Sequence, residues 1–238
     1  MSSRSNNDLF PPSLFKFDHL SGPVKQHLKN VYSTLSIGML TACVGAYVHL
    51  FTGIMQAGLL TALGSVGLMM WLMFTKHSKE TQLKRLAIFS GFTFLSGLSL
   101  GPLLDMAIQI EPSIIPSALM GTSVIFISFS LASIYSSNDR TFLYMGGVLL
   151  SALSWMVLLT FANIFFGSQM IYDITLYGGL ILFCAFILFD TQLIIEKRLH
   201  GDDDYIWHSV DLFLDFIQVF RRLVIILSNK ESKKNKKN

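Results

Sequence analysis

Charge is what this chain has least of. Of its 238 residues only 14% are Asp, Glu, Lys or Arg, whereas 52% are hydrophobic, with 20 Phe, 11 Met and a mean hydropathy of +0.54. A composition so apolar excludes an ordinary soluble domain and points to a polytopic membrane protein. Cysteine is nearly absent: Cys43 and Cys184 both lie in apolar runs, which excludes a disulfide framework and a thiolate metal site and makes them small core residues. The six histidines, His19, His27, His49, His77, His200 and His208, show no HExxH or paired spacing, so no tightly bound metal is expected. There is no Asn-x-Ser/Thr sequon. The first thirty residues carry Arg4, Lys16, Lys25 and Lys29 without a continuous apolar stretch, so no cleavable signal is expected and the first apolar run serves as an uncleaved one. Neither catalysis, nor a cofactor, nor nucleic acid binding is expected.

What is present is a series of apolar runs of about twenty residues, each enough to cross about 30 Å of hydrocarbon. They fall near Val31 to Phe51, Ile54 to Phe74, Leu86 to Ile108, Ile114 to Tyr135, Phe142 to Phe165 and Ile174 to Ile195, with a seventh, interrupted by charge, near Trp207 to Leu227. The expected fold is an all-α membrane protein with six transmembrane helices plus a seventh central or re-entrant helix. Its expected parts are a cytosolic arm over 1–30, a helical membrane domain over 31–227 and a basic disordered cytosolic tail over 228–238.

The eighteen Lys and Arg fall in the N-terminal arm, the second, fourth and sixth loops, and the last segment and tail, and none falls in the other loops. By the positive-inside rule the arm and even loops face the cytosol, and Glu111 and Asp173 lie toward the opposite side. Segment seven then poses a parity problem. Charge counting favours re-entry, which would return the Lys-rich tail to the cytosol, although a helix shielded by the other six could also cross.

Segment seven is also where the chemistry gathers. His208, Asp211, Asp215, Gln218 and Arg222 are spaced 3, 4, 3, 4, which draws one polar stripe along an otherwise apolar helix. Such a stripe must face protein or a wet cavity, and ionisable groups so placed are candidates for function. Segment six contributes Asp190 at a similar depth. Two carboxylates sharing a low-dielectric site repel and titrate as a unit, so the pair is a candidate pH-responsive gate, and carboxylate oxygens also suit calcium. The bland alternative is that each caps a helix or pairs with Arg221 or Arg222. Asp105 on segment three is either a vestibule residue or a hydrated boundary residue.

Gly97-Leu98-Ser99-Leu100-Gly101-Pro102 reads as a close-packing site with a kinking proline, and Gly64, Gly67, Gly146, Gly147, Gly178 and Gly179 as packing glycines. His200-Gly201-Asp202-Asp203-Asp204 lacks the spacing of an EF-hand and reads as a solvated linker. The tail carries Lys233, Lys234, Lys236 and Lys237, and Lys234 and Lys236 have the spacing of dilysine retrieval signals of endoplasmic reticulum membrane proteins.

Several stretches together resemble the animal Bax inhibitor-1 type of the transmembrane Bax inhibitor motif family. The most specific are Phe189-Asp190-Thr191-Gln192-Leu193-Ile194-Ile195-Glu196-Lys197 and Asp204-Tyr205-Ile206-Trp207-His208 leading into Asp211-Leu212-Phe213-Leu214-Asp215-Phe216. Gln26-His27-Leu28-Lys29, Gly45-Ala46-Tyr47-Val48-His49, Gln56-Ala57-Gly58-Leu59-Leu60 and Leu100-Gly101-Pro102 support the match. The resemblance implies an endoplasmic reticulum protein that suppresses cell death, leaks calcium in a pH-sensitive way, contacts Bcl-type survival proteins and restrains the unfolded-protein-response sensor. It implies seven helices with the last enclosed by the others. It places the pore-closing pair on Asp190 and Asp215, and the shared face of the stripe makes Asp211, His208 and Arg222 the groups expected to tune it.

The resemblance also ties the Lys233, Lys234, Lys236 and Lys237 tail to pH response and oligomerisation, so a homo-oligomer is a possible assembly. The calcium pathway candidates are Asp105, Asp190 and Asp215, with calcium a transient occupant rather than a cofactor. The loop Ser136-Ser137-Asn138-Asp139-Arg140 is less basic than in animal relatives. A non-conducting scaffold that binds death and stress regulators is the competing reading. An intramembrane aspartyl protease is disfavoured because Asp190 follows Ile187-Leu188-Phe189 rather than Gly-x-Gly, and a retinal receptor because no lysine sits at mid-membrane.

Overall fold

The computed structural model describes residues 20–52, 55–137 and 140–236. Seven helices account for the fold: α1 (Gly22–Tyr47), α2 (Leu59–Phe74), α3 (Gln82–Ile110), α4 (Ile114–Tyr135), α5 (Gly146–Phe166), α6 (Gln169–Leu199) and α7 (Tyr205–Asn235). Five of the seven, all but α2 and α7, are long and apolar enough to cross a membrane. The chain is a multi-pass all-α membrane protein.

The second apolar run forms a shorter helix than its composition suggests. A π turn (Val48–Thr52) closes α1, and His49 Nδ1 accepts the Ala57 amide at 2.9 Å, which holds the chain before Leu59 out of the helix. The sixteen residues of α2 therefore reach about 24 Å.

Helix α7 occupies the centre. It packs against α1, α3, α4 and α6, while α2 leans on α3 and α5 leans on α6. Its buried face runs through Ile206, Val210, Phe213, Phe216, Val219, Phe220 and Val224. Phe213 meets Phe89 and Phe92 of α3 edge to face, and Phe216 meets Phe126 of α4.

Segment seven forms one unbroken helix that runs through the bundle, packed against α1, α3, α4 and α6. At the start of α7, Asp204 accepts the Trp207 amide as N-cap and pairs with Arg85 near the start of α3. At its other end, Lys234 comes within electrostatic reach of Glu111, just past the end of α3. The helix spans 31 residues, about 46 Å, and runs beside α3. Charge counting favoured re-entry because of the Lys-rich tail, and it takes no account of the packing of α7 against α1, α3, α4 and α6. The tail expected to be disordered from residue 228 is likewise helical through Asn235. Lys237 and the arm residues Arg4 and Lys16 lie outside the described residues.

Helices α1 and α3 approach to backbone contact. A side chain at Gly97 would enter the Ala42 backbone, one at Gly45 the Phe94 carbonyl, and one at Gly101 the His49 ring. Thr41 and Thr93 share a hydroxyl hydrogen bond across the same interface at 2.5 Å. Pro102 sits within α3 without ending it. Gly146 receives the Phe189 ring and Gly64 lies near Leu95, but Gly67, Gly147 and Gly178 have no neighbour within 4 Å, so these three are not packing glycines within this chain.

The acidic loop before α7 is solvent-exposed from His200 to Asp203, as expected of a linker, and it is also latched to α3 through Asp204. Arg85, 2% exposed, gives Nη2 to Asp204 Oδ2 at 2.6 Å and places Nη1 2.9 Å from His77 Nδ1, while His77 Nε2 lies 3.3 Å from Asp203 Oδ1. Gln192 ties the α4–α5 connection to α6 by accepting the Phe142 amide and donating to the Ser136 carbonyl, both at 2.9 Å.

Two stability predictions follow from this packing. Arg85→Gln leaves Asp204 without its partner in a nearly buried setting, and we expect a loss of about 3 kcal/mol or more in thermal unfolding of the purified protein. An unchanged midpoint would contradict the latch. Gly97→Ala should cost about 1–3 kcal/mol by wedging α1 from α3, whereas Gly67→Ala, in a helix interior with open space, should be neutral or stabilising.

Candidate functional site

The site is built where α6 and α7 face each other. Asp215 is almost fully enclosed and Asp190, on α6, is half-buried, and their carboxyls stand within hydrogen-bonding range of each other. Neither carboxylate has a proton to give when ionised, so this contact is a hydrogen bond only when a proton lies between them. Asp215 Oδ2 has no further partner. Neither aspartate pairs with a base: Arg221 and Arg222 make no ion pair among the described residues, so the capping-and-pairing reading of these carboxylates is not what forms.

The neighbours of the pair come from three other places. Asp211, one turn before Asp215, is near enough to act electrostatically on both carboxyls. On the α6 side, Thr191 is fully buried and gathers with Tyr32 of α1 and Ser130 of α4, three hydroxyls brought together from three helices. Cys184 lies within reach of Asp215, one turn and a half before Asp190 on α6. The result is a layer of polar groups across an apolar bundle.

His208 shares the stripe of Asp215 by spacing but works elsewhere. It is completely buried, with Nδ1 2.9 Å from Nε2 of His27 on α1, the two rings edge to face, and Nε2 3.5 Å from Asp202 Oδ2. The next residue, Ser209, donates its Oγ hydroxyl to the carbonyls of Tyr205 and Val31, at 2.7 and 3.0 Å, which ties the same part of α7 to α1. The backbone amide of Asp204 and the nearby His208 and Lys197 hold Asp202 below the usual carboxylate range, against partial burial that pushes the other way. This charge is thus available to the histidine pair at neutral pH.

Arg222 also lies off the pair. Its Nη1 reaches the Gln218 side-chain oxygen at 2.6 Å and the Gln218 carbonyl at 3.2 Å, and its guanidinium stacks 4.6 Å from the centre of the Phe183 ring. Asp105 is exposed near the far end of α3, where Gln109 Nε2 donates to it at 3.2 Å, and it does not join Asp190 and Asp215. Lys230, Lys233, Lys234 and Lys236 line the exposed last turns of α7, with Lys234 Nζ 2.9 Å from Glu231. Among the described residues no cluster of three metal-ligating side chains exists.

Sequence reasoning missed His27 and Arg85. Nothing local marks His27, whose partner is 181 residues away. Arg85 did carry a signal: it falls in helical register with Ile88, Phe89 and Phe92, so an arginine was written onto the buried face of α3.

Comparison with known proteins agrees with this architecture. The family model for inhibitors of apoptosis-promoting Bax1 matches residues 24–232. The chain is 53% identical to Bax inhibitor 1 of Bos taurus over 225 residues, 94% of this chain and 95% of that protein. It is equally similar to Bax inhibitor 1 of Homo sapiens over 227 residues, with the same coverage. Identity to Bax inhibitor 1 of Arabidopsis thaliana is 42% over 216 residues, 90% of this chain and 85% of that protein. A seven-helix bundle with a polar central helix, matched almost end to end at such identity, belongs to the Bax inhibitor 1 family.

Proposed function

We propose that this chain restrains Bax-promoted cell death by acting as a proton-gated calcium leak in the endoplasmic reticulum membrane, with Asp190 and Asp215 as the gate. The observation that carries the reading is the contact of two enclosed carboxyls between α6 and the central helix. The family name supports the anti-apoptotic role, and resemblance supports the membrane and the ion. The basic even loops are placed toward the cytosol by the positive-inside rule.

The direction of gating follows from the contact. With a proton between them, Asp190 and Asp215 hold α6 to α7 and the path is closed. Without it, two negative charges in a low-dielectric layer repel, which favours separation of the helices and exposes oxygen ligands suited to a passing calcium ion. The closed form binds the extra proton, so lowering the pH closes the path and raising it opens the path.

Calcium-loaded vesicles carrying the purified protein test this. Wild type should release calcium faster as pH rises through the titration of the pair. In Asp215→Asn the amide donates to Asp190 at every pH, so flux should stay low and lose its pH dependence. An unchanged flux and pH profile would sink the gate.

The exposed basic end of α7 favours a second reading, a scaffold that binds Bcl-type survival proteins or the stress sensor through Lys230, Lys233, Lys234 and Lys236. Deleting residues 230–238 separates the two. Protection of cells from Bax that survives the deletion together with normal flux supports the leak, whereas loss of protection with flux unchanged from the full chain supports the scaffold.

A further inference from the structure

Helix α5 packs chiefly on α6, and residues of α5, α6 and α7 line a crevice between α5 and α7. Two adjoining cavities fill it. One, about 350 Å³, is walled chiefly by apolar side chains, among them Leu153, Val157, Phe161 and Phe183. The other, about 240 Å³, is walled by Tyr172, Thr175 and Arg221 among others. Thr160, Gln218 and Arg222 belong to both walls, so Arg222 stands at the junction of an apolar cleft and a cationic one.

Arg222 is held in place but not neutralised. Gly179 leaves the space its guanidinium occupies, Phe183 supports it from one side and Gln218 takes Nη1. Its Nε is buried without a partner, and among the described residues no carboxylate pairs with it or with Arg221. The nearest acid in the sequence of α6, Asp173, is engaged by Gln169 at 3.0 Å. The hydroxyls of Thr160 and Thr175 donate to carbonyls of their own helices, so the donors left for a ligand are Arg222, Arg221, the Gln218 side-chain amide and the Tyr172 hydroxyl.

Depth supplies the third argument. Arg222 lies seventeen residues, about 26 Å, along α7 from Tyr205, and the charged latch at Asp204 marks one boundary of the hydrocarbon. In a layer about 30 Å thick, Arg222 is thus just inside the opposite boundary, where lipid phosphates begin.

We propose that this crevice is a phospholipid site: the phosphate group sits against Arg222 and Arg221 with Tyr172, and one acyl chain lies along the apolar cleft between α5 and Phe183. A phosphate matches the fork of free guanidinium donors. The adjoining apolar cleft favours a lipid over free phosphate, because only a lipid fills both cavities at once. The site is separate from the Asp190–Asp215 pair and does not depend on calcium conduction.

Native mass spectrometry of the purified full chain tests the proposal, with phosphatidic acid and diacylglycerol of the same acyl chains as probes. Wild type should retain phosphatidic acid at about tenfold lower concentration than diacylglycerol, the effect of one charge-assisted contact. Arg222→Gln and Arg221→Gln should each erode that preference, and Arg222→Lys should restore part of it. Val157→Trp, an exposed residue whose larger ring would fill the apolar cleft, should weaken lipid retention while leaving thermal stability unchanged. Equal retention of the two lipids by wild type, or phosphatidic acid retention indifferent to both arginine substitutions in folded protein, would overturn the site. Displacement of the bound lipid by millimolar inorganic phosphate alone would also overturn it, in favour of a free phosphate site.

Discussion

The whole arrangement depends on keeping the polar stripe of α7 out of lipid. A helix carrying His208, Asp211, Asp215, Gln218 and Arg222 along one line has no stable place against hydrocarbon, and each uncompensated ionisable group there costs several kcal/mol. Six other helices supply the alternative surroundings, and the need to enclose α7 explains their order. Helices α1, α3, α4 and α6 form the inner ring, and α2 and α5, whose own surfaces are almost wholly apolar, need only lipid and one neighbour.

The stripe is not one site but three, stacked along the axis. At the Asp204 end, His208 is hydrogen-bonded to His27 and faces Asp202, beside the Arg85 and His77 latch. Next comes the carboxyl pair with Asp211 and the hydroxyls of Tyr32, Ser130 and Thr191. Beyond it, Arg222 turns toward the α5 side with Gln218 and Phe183. Each layer recruits a different helix, α1, then α6, then the α5–α6 face. A movement of α7 along or about its axis would therefore disturb all three together. The close backbone contact of Gly45 and Gly97 makes α1 and α3 a stiff unit against which such a movement would occur.

How much of this was legible in the sequence depended on whether the signal was local. The apolar runs located every helix, because hydrophobic length is a property of a continuous segment. The start of α2 escaped, since it is set by His49 accepting an amide eight residues away rather than by hydropathy. The spacing of Asp211 and Asp215 announced a polar face, and the depth of Asp190 made it a natural partner for Asp215. Spacing could not show that His208 and Arg222 leave the pair to seek other partners, because periodicity fixes a face but not which neighbour covers it. The His27 contact, made across 181 residues, had no local trace at all.

The course of α7 through the bundle shows why charge counting and packing answer different questions. The positive-inside rule treats each loop as free to choose a side, and by that count the Lys-rich tail belonged with the other basic loops. Here the start of α7 is fixed by the pairing of Asp204 with the enclosed Arg85, and its last turns come within electrostatic reach of Glu111. Between them, Phe213 and Phe216 interlock with rings on α3 and α4 through the middle of the bundle. Withdrawing the helix from the bundle would break a nearly buried ion pair and expose those rings' partners. Packing therefore sets the course of the last helix, and the charge of its tail follows.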